Sequence, residues 1–247
     1  MPVVVITGAS RGIGAATARL AAERGYDVCV NYRHSAEAAA AVVRDIEANG
    51  RRAVAVQADV ASEADIERLF AECDRALGTV DALVNNAGIL ETQMRVDRID
   101  AARLHRIFTA NVTGSFLCAR EAVKRMSTAH GGRGGAIVNV SSVAARTGAP
   151  GEYVDYAASK GALDTLTIGL AQEVAQEGIR VNGVRAGFIY TDIHASGGEP
   201  NRVDRVKAFV PLRRGGDPIE VARAILWLLS AEASYTTGSF VEVAGGR

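Results

Sequence analysis

The passage that most constrains this chain is Val3-Val4-Val5-Ile6-Thr7 running directly into Gly8-Ala9-Ser10-Arg11-Gly12-Ile13-Gly14. An unbroken β-branched apolar run cannot present alternate residues to water. The strand it forms is therefore covered on both faces, as in the parallel sheets of α/β folds. Glycines spaced Gly-x-x-x-Gly-x-Gly then turn the backbone into an Ala-rich segment with helical composition. Without side chains, such a turn lets main-chain N–H groups approach a pyrophosphate, and the dipole of the following helix favours its charge. The spacing differs from Gly-x-Gly-x-x-Gly, and a purely structural tight turn would leave the same trace. Gly8, Ser10, Arg11, Gly12, Ile13 and Gly14 are the candidate cradle.

Apolar β-branched runs keep alternating with longer amphipathic segments to the end of the chain, the signature of repeated βαβ units. Strands are predicted at Val3 to Thr7, Asp27 to Tyr32, Ala53 to Ala58, Ala82 to Asn85, Ala136 to Ser141, Arg180 to Val184 and Ser239 to Val243. The expected class is α/β: a doubly wound, seven-stranded parallel sheet with helices on both faces, formed by one domain over residues 1–247. Doubly wound sheets reach ~250 residues without splitting, and no linker or internal repeat divides this chain. Ser62 with Asp65 resembles a capping box, and Asp217-Pro218-Ile219-Glu220 places an N-cap, a first-turn proline and an acidic third residue in order. The stretch Gly131 to Gly135 reads as a loop before a strand.

Lys plus Arg and Asp plus Glu number 28 each, so no global field favours nucleic acid or an anionic membrane, and a small-molecule partner is expected. The N-terminus lacks the basic and apolar stretches of a secretion signal. The most hydrophobic helical patch, Ala224 to Leu229, is far shorter than the ~20 residues that span a bilayer. A soluble, cytoplasmic protein is expected. Cys29, Cys73 and Cys118 are widely spaced and contain no C-x-x-C pair, which predicts small buried hydrophobes rather than disulfides or a metal site. Asn111-Val112-Thr113 matches a glycosylation acceptor only formally, since that chemistry needs a secreted chain.

Cofactor selectivity is expected where the second strand ends, at Asn31-Tyr32-Arg33-His34. A carboxylate there would grip a ribose 2′-hydroxyl and repel a 2′-phosphate, whereas arginine attracts the phosphate. No carboxylate is present, and Arg11 and Arg33 are either phosphate ligands or solvated surface residues. NADP(H) is the preferred cofactor on this reading, with NAD(H) as the alternative. Asp59, followed by Val60, either accepts a hydrogen bond from adenine or caps a helix.

Tyr156-Ala157-Ala158-Ser159-Lys160 puts a phenol and an ammonium on one helical face. A free tyrosine has a pKa of ~10, so bringing it to neutrality asks for ~4 kcal/mol of preference for phenolate. A nearby lysine pushes in that direction. Alone, Y-x-x-x-K is common on ordinary helices. Here it follows, in one order, the glycine loop, Asn85-Asn86-Ala87-Gly88, Asn111 and Ser141-Ser142. Together these motifs, spread from Val3 to about Gly246, resemble the short-chain dehydrogenase/reductase family.

That resemblance implies a Rossmann fold and hydride transfer between a nicotinamide cofactor and a carbonyl or alcohol carbon. It implies that Tyr156 is the general acid/base, that Lys160 lowers its pKa and binds the nicotinamide ribose, that Ser142 binds the substrate oxygen and that Asn111 holds a relay water. Asn86, Ala87, Gly88, Gly187, Ile189 and Thr191 join the cofactor site, and no metal is needed. Ser142 is chosen over Ser141 because the family's serine lies about thirteen residues before its tyrosine; here the separation is fourteen.

Ala186 stands where the family usually has proline, which predicts a looser wall beside the nicotinamide, and Ala244 precedes the final glycine pair in place of a common aspartate. The polar stretch 192–214, with Ser196-Gly197-Gly198-Glu199-Pro200, reads as a mobile substrate lid or a plain surface loop. His194 within it is expected to be solvated, and His34, His105 and His130 carry no assigned role. Tyr153 lacks a lysine partner four residues on, so it lines the pocket or packs on the surface, and Leu90, Val143 and Phe188 are further pocket candidates. The general layout looks similar to 3-oxoacyl-carrier-protein reductases and sugar dehydrogenases. The resemblance also implies a homo-oligomer, a tetramer or dimer built on the helices carrying Asn111 and Tyr156. A catalytically silent dinucleotide-binding sensor or scaffold is the alternative, which the intact Asn111, Ser142, Tyr156 and Lys160 set argues against.

Overall fold

In the computed structural model, which describes residues 1–247, strands and helices alternate along the chain. The strands are β1 (Val3–Ile6), β2 (Asp27–Tyr32), β3 (Ala53–Gln57), β4 (Ala82–Asn85), β5 (Gly135–Ser142), β6 (Ile179–Ala186) and β7 (Phe240–Val243). The helices are α1 (Gly12–Glu23), α2 (Ala36–Ala48), α3 (Glu63–Leu77), α4 (Ala101–Phe108), α5 (Gly114–Met126), α6 (Ala144–Thr147), α7 (Val154–Glu173), α8 (Ile193–Ser196), α9 (Arg202–Val206) and α10 (Pro218–Leu229). All seven strands join one parallel sheet in the order β3-β2-β1-β4-β5-β6-β7, the doubly wound arrangement expected.

Strict alternation along each strand divides the core between the two faces. Val4, Ile6, Val28 and Val30 pack with α1, α2 and α10, while Val3, Val5 and Cys29 pack with α3, α5 and α7. This is why these strands read as continuous apolar runs: every second residue belongs to a different core. The three cysteines are fully buried core residues, and burial pushes the Cys118 thiol up to about 12. No helix is long and apolar enough to cross a membrane.

Strand ends differ from the expected bounds by a residue or two. Thr7 lies just past β1, where its N–H still donates to Val84 O and its hydroxyl accepts from Asn86 and Ala87 N–H. The central pair is longer than expected, since β5 and β6 stay in register through Ser142 and Ala186. At α10 the Asp217 box forms fully, with Asp217 N–H donating to Glu220 at 2.8 Å. At α3 only half forms: Ser62 Oγ accepts from Asp65 N–H, but the Asp65 carboxylate is taken by Asp59 N–H at 2.8 Å.

Candidate active site

The chain leaves β1 toward β2 on one side and β4 toward β5 on the other, so their carboxyl ends open a crevice at the topological switch point. A cavity of about 870 Å³ occupies it. Gly8 and Gly12 sit in left-handed conformations, with φ of 62° and 55°. A Cβ on Gly14 would lie 2.4 Å from Gly8 O, so only glycine lets α1 start this close to the loop. Asn86 Nδ2 ties that loop to β4 by donating to Thr7 O and Gly8 O at 2.8 and 3.1 Å.

Every residue expected to bind cofactor lines this cavity except Gly14, whose part is to permit the turn. A loop open at Gly8 and Gly12 and leading into the N-terminus of α1 fits a pyrophosphate, and the cavity continues from there to Lys160. These features accommodate a nicotinamide dinucleotide.

At the adenosine end Tyr32, Arg33, Asp59 and Val60 line the wall. Arg33 Nε pairs with Asp59 at 2.9 Å, leaving the guanidinium half-exposed. Asp59 does not cap a helix; its other oxygen accepts from Ala61 N–H within the turn before α3. Asn31 is buried: its Oδ1 accepts from Gly8 N–H and its Nδ2 donates to Ala58 O, so its side chain shapes the loop. His34, which carried no expected role, also lines the cavity.

At the other end α7 carries Tyr156 and Lys160 one turn apart. Lys160 Nζ is buried, donates to Val140 O at 2.8 Å and lies 5.6 Å from the centre of the Tyr156 ring. One N–H of three is spent, leaving two for a ligand. Burial pulls the Lys160 ammonium down to about 8, against the opposing pull of Asp164. Packing around the Tyr156 hydroxyl pushes it up to about 12, although the Ser142 hydroxyl and the Arg202 charge pull the other way. The expected lowering by Lys160 is absent from the protein alone: desolvation outweighs every favourable neighbour, and the lysine is itself desolvated and turned to Val140.

Asn111 lies in a π-turn, residues 109–113, between α4 and α5. Its Oδ1 accepts from Ile89 N–H at 2.7 Å and its Nδ2 donates to Ile89 O and Ser159 Oγ. With its side chain so engaged, it positions the segment after β4 and the helix bearing Tyr156, and it does not line the cavity. Of the two serines, Ser142 accepts from Ala144 N–H and stands beside Tyr156, while buried Ser141 donates to Lys160 O.

Residues 8–247 match the family model described as enoyl-(acyl carrier protein) reductase. The chain is 59% identical over 247 residues to the uncharacterized oxidoreductase YgfF of Escherichia coli, with all of both chains covered. It is 40% identical over 245 residues to a 3-oxoacyl-[acyl-carrier-protein] reductase of Synechocystis, covering 99% of this chain and 96% of the other. A solved short-chain dehydrogenase from Burkholderia cenocepacia in complex with NADP superposes with a TM-score of 0.89 at 34% identity, over 98% and 96% of the two chains. The protein belongs to the short-chain dehydrogenase/reductase family. It is therefore an oxidoreductase of a family that transfers hydride with NAD(P).

Ala186 ends β6; its carbonyl accepts from Val143 N–H, and Gly187 N–H donates to Val243 O. His194 is buried rather than solvated: the residue is 7% exposed and Nε2 meets Ile189 O at 3.0 Å. Residues 192–214 contain α8 and α9, and Gly197 is a packing residue, since a Cβ there would lie 2.8 Å from Leu90. Tyr153 is buried, donates to Gly197 O at 3.0 Å and lines the cavity with Leu90, Val143 and Phe188. Glu152, Arg202, Arg205 and Arg247, which no motif marked, line its outer end.

Proposed function

We propose that this short-chain dehydrogenase/reductase interconverts a carbonyl and a secondary alcohol with Tyr156 as general acid/base, NADP(H) preferred and NAD(H) the alternative. The observation that carries this reading is the convergence of Tyr156, Ser142 and Lys160 on the same cavity that the glycine cradle lines. A bound nicotinamide dinucleotide supplies or accepts the hydride. In reduction the Tyr156 hydroxyl gives its proton to the carbonyl oxygen, and the Ser142 hydroxyl donates to the same oxygen as charge builds on it. In oxidation the proton returns. The spare N–H groups of Lys160 hold ribose hydroxyls and bring positive charge toward the phenol. Asn111 keeps the wall between Ile89 and Ser159 in register. Residues 1–247 act as one unit, and Phe116 on α5 and Ile168 on α7, both about half exposed, support a homo-oligomer, dimer or tetramer, through those helices.

The test follows nicotinamide absorbance with NADPH and NADH against ketones, aldehydes, quinones and sugars. Turnover on at least one carbonyl class is expected. Cofactor binding with no turnover across the panel would overturn the enzymatic reading. Arg33→Ala is expected to weaken NADPH binding by roughly 5- to 10-fold, a charge-assisted contact discounted for exposure, and NADH binding by less than about 2-fold. Fluorescence titration measures both; equal losses would remove Arg33 from phosphate recognition.

The raised phenol sets the pH dependence. Reduction needs Tyr156 protonated, and a group pushed up to about 12 stays so through neutrality. The kcat/KM for carbonyl reduction is expected to be flat from about pH 6 to about pH 8, while that for alcohol oxidation climbs over the same span. Reduction that falls steadily across that window would mean a different proton donor.

A further inference from the structure

At the substrate side of the cavity the wall carries a largely buried arginine whose hydrogen bonds are unfinished. Arg202, from α9, lies between two aromatic rings, its guanidinium carbon 4.5 Å from the centre of Tyr153 and 5.2 Å from that of Phe188. Its side chain is 12% exposed. It donates through Nη2 to Glu152, while its Nε is buried and finds no acceptor on the protein. A buried guanidinium with an empty N–H is costly unless something completes it. The stacked rings hold the group in place, so little ordering is left to a ligand that binds there.

The surrounding charges leave room for an anion. Glu152 is shared between Arg202 and Arg205, and Glu199 is taken up by Arg205 and Gln93. Arg247 adds a second guanidinium to the wall, 4.8 Å from the centre of Phe188. Beside them His194 donates through Nε2 to Ile189 O, which leaves Nδ1 as a buried lone pair with no donor. Burial holds this ring below the ordinary histidine range.

We propose that the substrate carries a carboxylate remote from its reacting carbonyl and that Arg202 binds it. The substrate class is then an oxo acid or its hydroxy acid, with Arg202 the specificity-determining residue. This inference rests on the reading of the cavity as a carbonyl-reducing site, because it places the carboxylate in the same cavity as Tyr156. The Arg202 charge also bears on the Tyr156 hydroxyl. Substituting the arginine therefore affects every substrate somewhat, and the informative quantity is a ratio.

The experiment compares oxopentanoates, the carbonyl placed at successive carbons, with their methyl esters. Each ester removes the charge that Arg202 would read and adds one methyl group, so the ratio in the Arg202→Gln variant supplies the steric baseline. In the native protein the best acid is expected to exceed its ester in kcat/KM by roughly 10- to 100-fold, the scale of a hydrogen-bonded buried charge. Arg202→Gln should bring that acid-to-ester ratio near unity, and Arg202→Lys should restore part of it. Glu152→Gln, which removes the competing carboxylate and keeps the arginine, should tighten acid binding several-fold. That variant also protects the test if Arg202→Gln does not fold.

Calorimetric titration of acid and ester into the cofactor-loaded protein runs in parallel. It separates the two readings: acid binding that depends on Arg202 without turnover would sink the catalytic assignment and keep the carboxylate site. An acid-to-ester ratio near one in the native protein, or a ratio unmoved by Arg202→Gln, would overturn the proposal.

Discussion

Tyr156→Phe is expected to lower the rate of hydride transfer by roughly 10²- to 10⁴-fold, the usual worth of a positioned proton donor, while changing dinucleotide affinity by less than about 2-fold. The substitution removes one oxygen and keeps the ring against which Lys160 sits, 5.6 Å from its centre. Without the hydroxyl, the Ser142 hydroxyl beside it can still donate a hydrogen bond to a carbonyl oxygen, but the phenol that would deliver the proton is gone. A step that depended on Tyr156 as acid/base would therefore fall in kcat rather than in KM. Single-turnover absorbance of the bound nicotinamide separates the two. Equal single-turnover rates in native and variant proteins would remove Tyr156 from the chemistry.

The second large effect lies one residue away and is structural. Arg103 on α4 and Asp155 on α7 form a buried pair, 4% and 0% exposed, with Nε donating to Oδ2 at 2.6 Å. Arg103 also donates to Thr92 O, and Asp155 accepts from Tyr156 N–H at 2.9 Å. Arg103→Met is expected to cost about 3–5 kcal/mol, because it strands a carboxylate in the interior. For a chain of this size that is a fall in Tm of roughly 6–20 °C. The double variant Arg103→Met with Asp155→Leu should recover a large part, since no unpaired charge then remains. Thermal unfolding of the three variants measures this. A double variant no more stable than Arg103→Met would show that the loss came from packing or the Thr92 contact and not from a stranded charge. The pair also holds the first turn of α7, so a shift in catalytic rate is expected to accompany the loss of stability.

Much of this was legible in the order of residues because it depends on local rules. A continuous apolar run means a strand covered on both sides, and all seven strands lie where those runs lie, with ends off by a residue or two. The glycine loop was readable because a backbone that must turn left-handed and approach α1 closely excludes side chains at Gly8, Gly12 and Gly14. Tyr156 and Lys160 were readable because helical periodicity alone puts them on one face.

What only the tertiary structure decided concerns desolvation and long-range company. The direction of the Tyr156 shift depends on how much protein surrounds its hydroxyl, and spacing to Lys160 carries no information about that. Asn111 was found as a candidate, yet its bonds to Ile89 and Ser159 come from two distant segments. His194 and Arg202 had no readable signal, since an isolated histidine or arginine in a polar stretch looks solvated. They became buried cavity walls only when α8 and α9 folded down against Leu90, Tyr153 and Phe188. By itself the sequence determined the sheet, the cradle and the tyrosine–lysine pair, because each follows from contacts within a few residues. The polarity of the substrate end was decided by the tertiary structure, because a charge acquires its meaning from what is brought around it.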